Sequence, residues 1–404
     1  MLNPTRPTCL CALLATAALI GPLSSTLASA TTTYTAVDLY TLTAATGIND
    51  PGVANSIHPT DSAQNVGFGN TGGDNTEQGI LWSSTGVATT LTPTNLSGFS
   101  MSVATSISGT QQVGYGGGTA TGLTLANSFY HALLWTGSAS SAVDLQPANL
   151  TSITSSEALG TDGTNQVGLG YTSEGGEHAL LWSGSNSAVN LQPTQFSTYG
   201  ASVAYGVSGS QQVGVAISQF DPNKPILWSG TAASPVDLTP PASVGSYDAG
   251  CVAYGIGGGQ EVGYGGSFLS TIGNHALLWT GTAASAVDLN PAGSTDTVAY
   301  ATNGTWQVGY IGITTNVNAP EPTPNAMVWS GTAASAVNLE TFLPSNFGAS
   351  TAYSVDSQGD IFGIAGDTSG NYDAVEWIPT SVPEPTSFAL LFIPAIAVVR
   401  RPRR

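Results

Sequence analysis

Positive charge is nearly absent from the body of this chain. Between residues 31 and 382 there are 23 acidic residues and a single basic one, Lys224. The arginines lie at the two ends of the sequence, with Arg6 near the start and the others among the last five residues. A body this acidic repels nucleic acid phosphates, so no DNA or RNA partner is expected.

Local motifs for metal binding and hydrolysis are also missing. The sequence has neither H-E-x-x-H nor C-x-x-C spacing, and it has no G-x-S-x-G nucleophile elbow. No cofactor is therefore expected, and we predict that the protein is not an enzyme. An active site assembled from distant parts of the chain would escape this kind of search.

Cysteine is scarce, with three residues in the whole chain. Cys9 and Cys11 lie in an apolar stretch near the start, which leaves Cys251 alone in the remainder and excludes an intramolecular disulfide there. Cys251 precedes Val252 and Ala253, so we expect it to be a small buried residue. Stability must then come from a hydrophobic core, which the 41% hydrophobic composition allows.

Residues 1–30 have the pattern of a secretory signal peptide. Arg6 provides the positive start, Cys9 to Leu23 the apolar segment, and Ala28-Ser29-Ala30 an A-x-A cleavage site for signal peptidase. The sequence therefore predicts an exported protein in which Ala28 and Ala30 are processing residues.

A four-phrase repeat occupies residues 31–381. The phrases read V-A-Y-G-I, Q-V-G-Y-G, H-A-L-L-W-[ST]-G and A-V-[DN]-L-x-P, with variations from copy to copy. The tryptophan of the third phrase recurs at intervals of about 50 residues. Its seven positions are Trp82, Trp135, Trp182, Trp228, Trp279, Trp329 and Trp377.

Each phrase reads as a short strand, and four antiparallel strands in about 50 residues are typical of one β-propeller blade. We therefore predict an all-β, seven-bladed propeller, with the first phrase innermost and the fourth outermost. A fourth phrase at Ala36–Leu39 precedes the first complete copy, and the last copy ends at Trp377 without one. The N-terminal strand is expected to complete the last blade and close the ring, with short apolar helices outside it.

The repeat resembles the bacterial extracellular HAF repeat family. The resemblance rests on Thr41 to Asp50, on Gln112 to Tyr115, and on His131 to Trp135, where Leu133 replaces the phenylalanine of the His-Ala-Phe tripeptide. It covers most of the repeat region and implies an extracellular protein without a defined activity.

The C-terminal segment, residues 382–404, resembles a PEP-CTERM sorting signal. Pro383-Glu384-Pro385 is followed by an apolar run at 388–399 and by a basic cluster of Arg400, Arg401, Arg403 and Arg404. The resemblance implies recognition by an exosortase and transient retention in the inner membrane, with the arginines on the cytoplasmic side. As a helix the run would span roughly 18 Å, less than the ~30 Å hydrocarbon core.

Aromatic residues of the first phrase are the main candidates for ligand binding. Tyr205, Tyr254, Tyr300 and Tyr353 occupy one position in four successive copies. If this strand is innermost, their rings and hydroxyls lie near the central channel and suit glycan stacking, although packing between blades is the simpler interpretation. Trp306 lies outside the repeated tryptophan position and could form an exposed platform; the repeated tryptophans are expected to be core.

Three other sets of polar residues have structural interpretations. His131, His178 and His275 precede the tryptophan at one repeated position and are not expected to converge on a metal. Asp144, Asp237 and Asp288 recur in the fourth phrase, where hydrogen bonds to nearby backbone explain them. Two oxygen-rich loops, Asp367 to Asp373 and Asp74 to Glu77, could bind calcium, although neither matches an EF-hand loop.

Three functions remain open from the sequence alone. The protein is expected to be a non-catalytic binding module or a passive structural component of the cell envelope or extracellular matrix, with extracellular polysaccharide or envelope proteins as partners. The alternative is a polysaccharide hydrolase or lyase, which would need two or three carboxylates in one cleft.

Overall fold

The computed structural model describes ten segments of the chain. They are residues 32–38, 64–70, 77–83, 87–122, 129–196, 198–267, 273–294, 296–313, 323–367 and 372–380. The predicted signal peptide and sorting segment lie outside these residues. Within them, no helix is long and apolar enough to cross a membrane.

The described strands form seven antiparallel sheets, which confirms the prediction of a seven-bladed propeller. Blade 1 contains β2 (Gln64–Asn70), β3 (Glu77–Ser83) and β4 (Ala88–Thr90). Blade 2 contains β5 (Met101–Ser108), β6 (Gln111–Gly117), β7 (His131–Trp135) and β8 (Val143–Asp144). Blade 3 contains β9 (Ile153–Thr161), β10 (Gln166–Thr172), β11 (Glu177–Trp182) and β12 (Ala188–Asn190).

The remaining blades repeat this order. Blade 4 contains β13 (Ala201–Ser208), β14 (Gln211–Ile217), β15 (Lys224–Trp228) and β16 (Val236–Asp237). Blade 5 contains β17 (Gly250–Gly257), β18 (Gln260–Gly266), β19 (His275–Trp279) and β20 (Val287–Asp288). Blade 6 contains β21 (Asp296–Thr302), β22 (Gln307–Ile313), β23 (Thr323–Trp329) and β24 (Val337–Asn338). Short 3-10 turns lie at Ala139–Ser141, Ala283–Ser285, Ala333–Ser335 and Leu339–Phe342.

Blade 7 combines strands from both ends of the propeller region. It contains β25 (Phe347–Val355), β26 (Ile361–Asp367) and β27 (Tyr372–Thr380), and the N-terminal strand β1 (Thr33–Asp38) pairs antiparallel with β27. In this register Ala36 lies opposite Trp377 and Asp38 opposite Val375. The predicted pairing partner of the N-terminal strand is therefore the observed one.

The hydrophobic core lies between neighbouring blades. One cluster joins Val113 and Leu134 of blade 2 to Ala158 and Trp182 of blade 3, and similar clusters join the following blades. The seven repeated tryptophans are at most 3% exposed, which confirms their expected core position. Cys251 is 1% exposed in the cluster between blades 4 and 5, and burial raises the pKa of its thiol to about 12.

The glycine of the second strand in blades 2 to 7 marks a close approach of two backbones, as predicted. A Cβ atom on Gly114, Gly168 or Gly214 would lie 1.9 Å from a carbonyl oxygen of the innermost strand. The same approach occurs at Gly263, Gly309 and Gly363, at 1.8–1.9 Å. Glycine is needed here because no side chain fits between the two strands.

Candidate functional site

A β-bulge interrupts each described innermost strand at the position where the sequence analysis placed the tyrosines. In blade 4, Ala204 pairs with Gly214 and Gly206 pairs with Val213, so that Tyr205 is the extra residue. The bulged residues of blades 2 to 7 are Thr105, Leu159, Tyr205, Tyr254, Tyr300 and Tyr353. Bulges redirect side chains, which here places one residue per blade along the ring of innermost strands.

The four predicted tyrosines form a continuous row across blades 4 to 7. The ring centroids of Tyr205 and Tyr254 are 5.0 Å apart, those of Tyr254 and Tyr300 5.3 Å, and those of Tyr300 and Tyr353 5.2 Å. These distances are typical of packed aromatic pairs, so the row joins the blades. Burial raises the pKa of Tyr205 to about 12, and its phenol remains a hydrogen-bond donor at neutral pH.

Blades 2 and 3 replace this row with other contacts. The hydroxyl of Thr105 donates to the carbonyl oxygen of Ala158 in the next blade at 2.7 Å. Leu159 packs with Tyr205 and Tyr171 in an apolar cluster. The aromatic part of the ring is therefore one-sided, as the sequence predicts.

Tyrosines of the second strand add hydrogen bonds to carboxylates. The hydroxyl of Tyr171 donates to Glu157 at 3.2 Å, and that of Tyr310 donates to Asp296 at 3.1 Å. Burial raises the pKa of Glu157 above its ordinary value, and the bond from Tyr171 opposes that shift. Neither tyrosine was among the predicted site residues, although Tyr310 stands at the repeated tyrosine of Q-V-G-Y; Tyr171 lies two residues beyond that position, which is Leu169 in its blade.

A cavity of about 390 Å³ lies where the innermost strands end and turn into the second strands. Residues from blades 2 to 7 line it: Ser106, Thr161, Tyr205, Gly255, Asn303 and Val355 each represent one blade. Of the four predicted tyrosines, Tyr205 contributes to this lining. The volume falls within the range of small-molecule pockets, about 300–1,000 Å³.

Small residues after the bulge allow neighbouring blades to approach closely, since a Cβ on Gly160, Gly206 or Gly255 would lie 2.5, 3.0 or 2.6 Å from the carbonyl oxygen of the next blade's bulged residue. The position is Ser106 in blade 2 and glycine in the next three blades, at Gly160, Gly206 and Gly255. Ser106 is fully buried, and its Oγ has no hydrogen-bond partner. This Oγ is inaccessible to a water-sized molecule, so it is not a group that a ligand in the cavity contacts.

Among the described residues, the cavity lining contains one carboxylate and no basic side chain. Its one carboxylate, Asp162, accepts bonds from the backbone N–H groups of Thr164, Asn165 and Gly209 at 2.9, 2.7 and 2.9 Å. These bonds hold the turns of blades 3 and 4 together. The arrangement suits a neutral, hydroxyl-bearing ligand.

Trp306 does not belong to this lining. Its ring lies against Gly359 in blade 7, where an added Cβ would be 2.9 Å away, and it is half-buried beside the cluster containing Val355. Its backbone N–H donates to the Asn303 side chain at 2.9 Å. Trp306 therefore packs two blades together and is not an open platform.

The repeated histidines bond within their own blades. The pairs are His131 with Asp144 at 2.9 Å, His178 with Asn190 at 3.0 Å, and His275 with Asp288 at 2.8 Å. Lys224 takes the same place in blade 4 and bonds Asp237. The second oxygen of Asp144 accepts the backbone N–H of Gln146 at 2.9 Å, and the equivalent residues do likewise. The predicted local role of these carboxylates is confirmed.

The two candidate calcium loops fall partly outside the described residues, since Asp74 and Asn371 are not among them. Within the part of the chain that the structure describes, no three His, Cys, Asp or Glu side chains are grouped so that they could hold a metal ion.

Solved β-propeller structures resemble this fold. The β-propeller domain of the Trilobed protease from Pyrococcus furiosus has a TM-score of 0.50 at 11% identity, covering 80% of this chain and 95% of that one. A puromycin hydrolase complexed with PGG has a TM-score of 0.50 at 10% identity, covering 82% of this chain and 52% of that one. Pyrococcus horikoshii acylaminoacyl peptidase has a TM-score of 0.47 at 10% identity, with the same two coverages. The chain thus spans about half the length of the latter two proteins. No family model and no curated protein matches it.

These neighbours contradict the prediction that the protein is not an enzyme. That prediction was wrong because missing local motifs do not exclude an active site in this fold. The same architecture occurs in the Trilobed protease and in the puromycin hydrolase. A propeller brings together side chains from blades that are about 50 residues apart in sequence, so a local motif search does not reveal its sites. At 10–11% identity the likeness establishes the fold, and the named activities belong to those proteins.

Proposed function

We propose that this protein is an exported, surface-sorted β-propeller that binds a glycan of the cell envelope or extracellular matrix. The observation that carries the binding proposal is the cavity on the ring of innermost strands, whose described lining combines serine and threonine residues with Tyr205 and has no basic side chain. Polyhydroxylated ligands are bound by such combinations of hydrogen-bonding groups and aromatic faces.

Export and sorting rest on the terminal segments. Residues 1–30 and the HAF-like repeats support secretion, with signal peptidase as the processing partner. Residues 382–404 support sorting by an exosortase at Pro383-Glu384-Pro385, after transient retention through 388–399. We also propose that the pairing of β1 with β27 closes the ring, because it gives blade 7 the four strands that blades 2 to 6 have.

A polysaccharide-acting enzyme is the second candidate, and one observation favours it. Glu157 lies on the innermost strand of blade 3, its pKa is raised by burial, and Tyr171 donates a hydrogen bond to it. A carboxyl group with a raised pKa has the property needed of a general acid in glycoside cleavage.

A glycan array with the purified protein tests the binding function. We expect retention of neutral glycans with and without calcium. Replacing Tyr205 with alanine should weaken that retention at least tenfold, because Tyr205 is the one aromatic residue among the described residues of the cavity lining. Tyr300→Phe, in the same row but outside the lining, should retain binding. An array without signal for the folded protein would refute the proposal, and cleavage of a bound polysaccharide would favour the second candidate.

A further inference from the structure

Glu157 stands at a strand position that the other blades fill with a buried, uncharged side chain. It immediately precedes the alanine that pairs with the glycine of the second strand. The equivalent residues of the other described innermost strands are Val103, Val203, Val252, Val298 and Thr351, each at most 7% exposed. Glu157 differs from all of them in being partly exposed to solvent. The architecture therefore does not require a carboxylate at this position.

No cation of the described fold neutralises Glu157. One of its oxygens, Oε1, accepts a hydrogen bond from the Tyr171 hydroxyl at 3.2 Å. The ion pairs among the described residues all lie elsewhere: they are His131 with Asp144, Lys224 with Asp237, and His275 with Asp288. Burial raises the pKa of the Glu157 carboxyl group, because its charge is partly removed from water. A cationic partner would offset this cost of desolvation.

Tyrosines of blade 2 lie beside Glu157 of blade 3. The ring centroids of Tyr115 and Tyr130 are 5.0 Å apart. The backbone N–H of Tyr130 donates to the Ser155 hydroxyl at 2.9 Å, and this hydroxyl donates to the carbonyl oxygen of Tyr130 at 2.8 Å. Ser155 lies two residues before Glu157 in a regular part of the strand, so both side chains are on one face of the sheet. The charge of Glu157 adds to burial in raising the pKa of the Tyr115 phenol, which places that ring near the carboxylate.

A carboxylate among tyrosine rings is suited to an organic cation. The faces of aromatic rings attract cations, and a neighbouring carboxylate adds a Coulomb attraction. Glu177 lies opposite Tyr171 in the strand register and adds a second acidic group. An anion would be repelled, because residues 31–382 contain 23 acidic residues and one basic one. A metal ion is less suited, since no three His, Cys, Asp or Glu side chains of the described residues are grouped to hold one.

We propose that Glu157, Tyr171 and the Tyr115–Tyr130 pair form a binding site for an organic ammonium group. Glu157 supplies the negative charge, and the tyrosines supply ring faces for the alkyl part of the ligand. Glu157 acts here as the carboxylate, whereas the enzyme candidate uses its protonated form. The site is separate from the cavity, whose described lining contains none of these four residues. This inference therefore goes beyond the proposed glycan-binding function and does not rest on it.

Calorimetry and saturation-transfer NMR on the full chain, at neutral pH and low ionic strength, measure the binding. Choline is the quaternary ammonium probe and ethanolamine the primary one. The control ligand is 3,3-dimethylbutan-1-ol, which has the shape of choline but no charge. We expect at least one of the two ammonium probes to bind. The neutral alcohol should bind at least about tenfold more weakly than choline if choline is the ligand, because the Coulomb and cation–π attractions are lost.

Two glutamine variants provide a matched test of the site. Glu157→Gln and Glu174→Gln remove the same charge from the same blade, but Glu174 is exposed in the turn between the second and third strands. Glu157→Gln should weaken ammonium binding at least about tenfold, whereas Glu174→Gln should change it less than about twofold, because solvent and salt screen its charge. Tyr115→Leu should also weaken binding, since it removes a ring but no charge.

Other outcomes overturn the inference in distinguishable ways. Equal losses in the two glutamine variants would show that only the general field of the protein attracts the probe. Choline binding that the neutral alcohol matches would refute recognition of charge. Displacement of the ammonium probe by an equal concentration of Ca²⁺ would refute the organic class of ligand. If neither ammonium probe binds to the folded protein, the site is refuted while the glycan-binding function, which the array tests separately, is unaffected.

Discussion

Replacing Gly214 with alanine is expected to destabilise the protein by about 3 kcal/mol or more. A Cβ atom at this position would lie 1.9 Å from the carbonyl oxygen of Val203 on the innermost strand. No side-chain rotation relieves the contact, because hydrogen-bonded pairs on both sides of the Tyr205 bulge hold the two backbones in register. The alanine therefore has to separate the strands or remove the bulge. The free energy of unfolding in urea measures the effect.

Gly200→Ala is the control for this prediction. Gly200 is exposed, its φ is not in the left-handed region, and no atom lies within 4 Å of the position its Cβ would take. We expect its unfolding free energy to change by less than about 0.5 kcal/mol. A Gly214→Ala protein as stable as the control would show that the two backbones do not approach as described.

Glu261→Gln is expected to stabilise the protein by about 1–3 kcal/mol at pH 7.5. Glu261 is 1% exposed, and it accepts the backbone N–H of Gly281 at 2.7 Å. In four other blades a buried glutamine accepts the equivalent N–H. In blade 6 that glutamine, Gln307, also donates to Gln260 of the preceding blade at 2.8 Å. Gln211 of blade 4 is the equivalent of Gln260 for blade 5. A carboxylate at position 261 cannot donate a hydrogen bond to Gln211, whereas an amide can.

The stabilising effect of Glu261→Gln should grow as the pH rises. Burial raises the pKa of Glu261 above its ordinary value. The protonated carboxyl is therefore favoured by folding, and its contribution is fully present below the pKa of the unfolded chain. That contribution is lost as the pH rises through the folded pKa. The advantage of Glu261→Gln should be small near pH 4 and grow toward neutral pH.

Gln212→Glu supplies the reverse experiment in blade 4. Gln212 is 1% exposed and accepts the N–H of Gly230 at 2.8 Å, so the variant places a carboxylate in the same setting. We expect it to lose stability at pH 7.5 and to recover part of the loss near pH 4. Unfolding curves of both variants and of the unmodified protein are measured at the two pH values. If neither variant's change in unfolding free energy depends on pH, the assignment of a buried charge is contradicted.

The fold was predictable because its main signal is periodic. Seven tryptophans at a regular interval require seven equivalent buried positions, and strand-length phrases between them allow few architectures. The pairing of Ala36 with Trp377 was predictable for a related reason, since the first and last copies each lack a phrase that the other can supply. The hydrogen bonds of the fourth-phrase aspartates to nearby backbone were also predicted correctly, because these bonds are local.

The candidate site was predictable only in part. The sequence located the tyrosine position, but it did not show that this position is a bulge or that ring-to-ring contacts join all four rings. Trp306 is conspicuous in the sequence and yet packs on Gly359. Ser106 lines the cavity although it belongs to no motif, and glycine stands at its place in three other blades.

The sequence by itself determined the number of blades, the order of their strands, the buried tryptophans and the acidic character of the body, because these follow from local repetition and composition. The tertiary structure decided which side chains share the central cavity and which remain without a partner. Those contacts join residues about 50 positions apart around the ring, and their distances depend on bulges and strand register that no single repeat encodes.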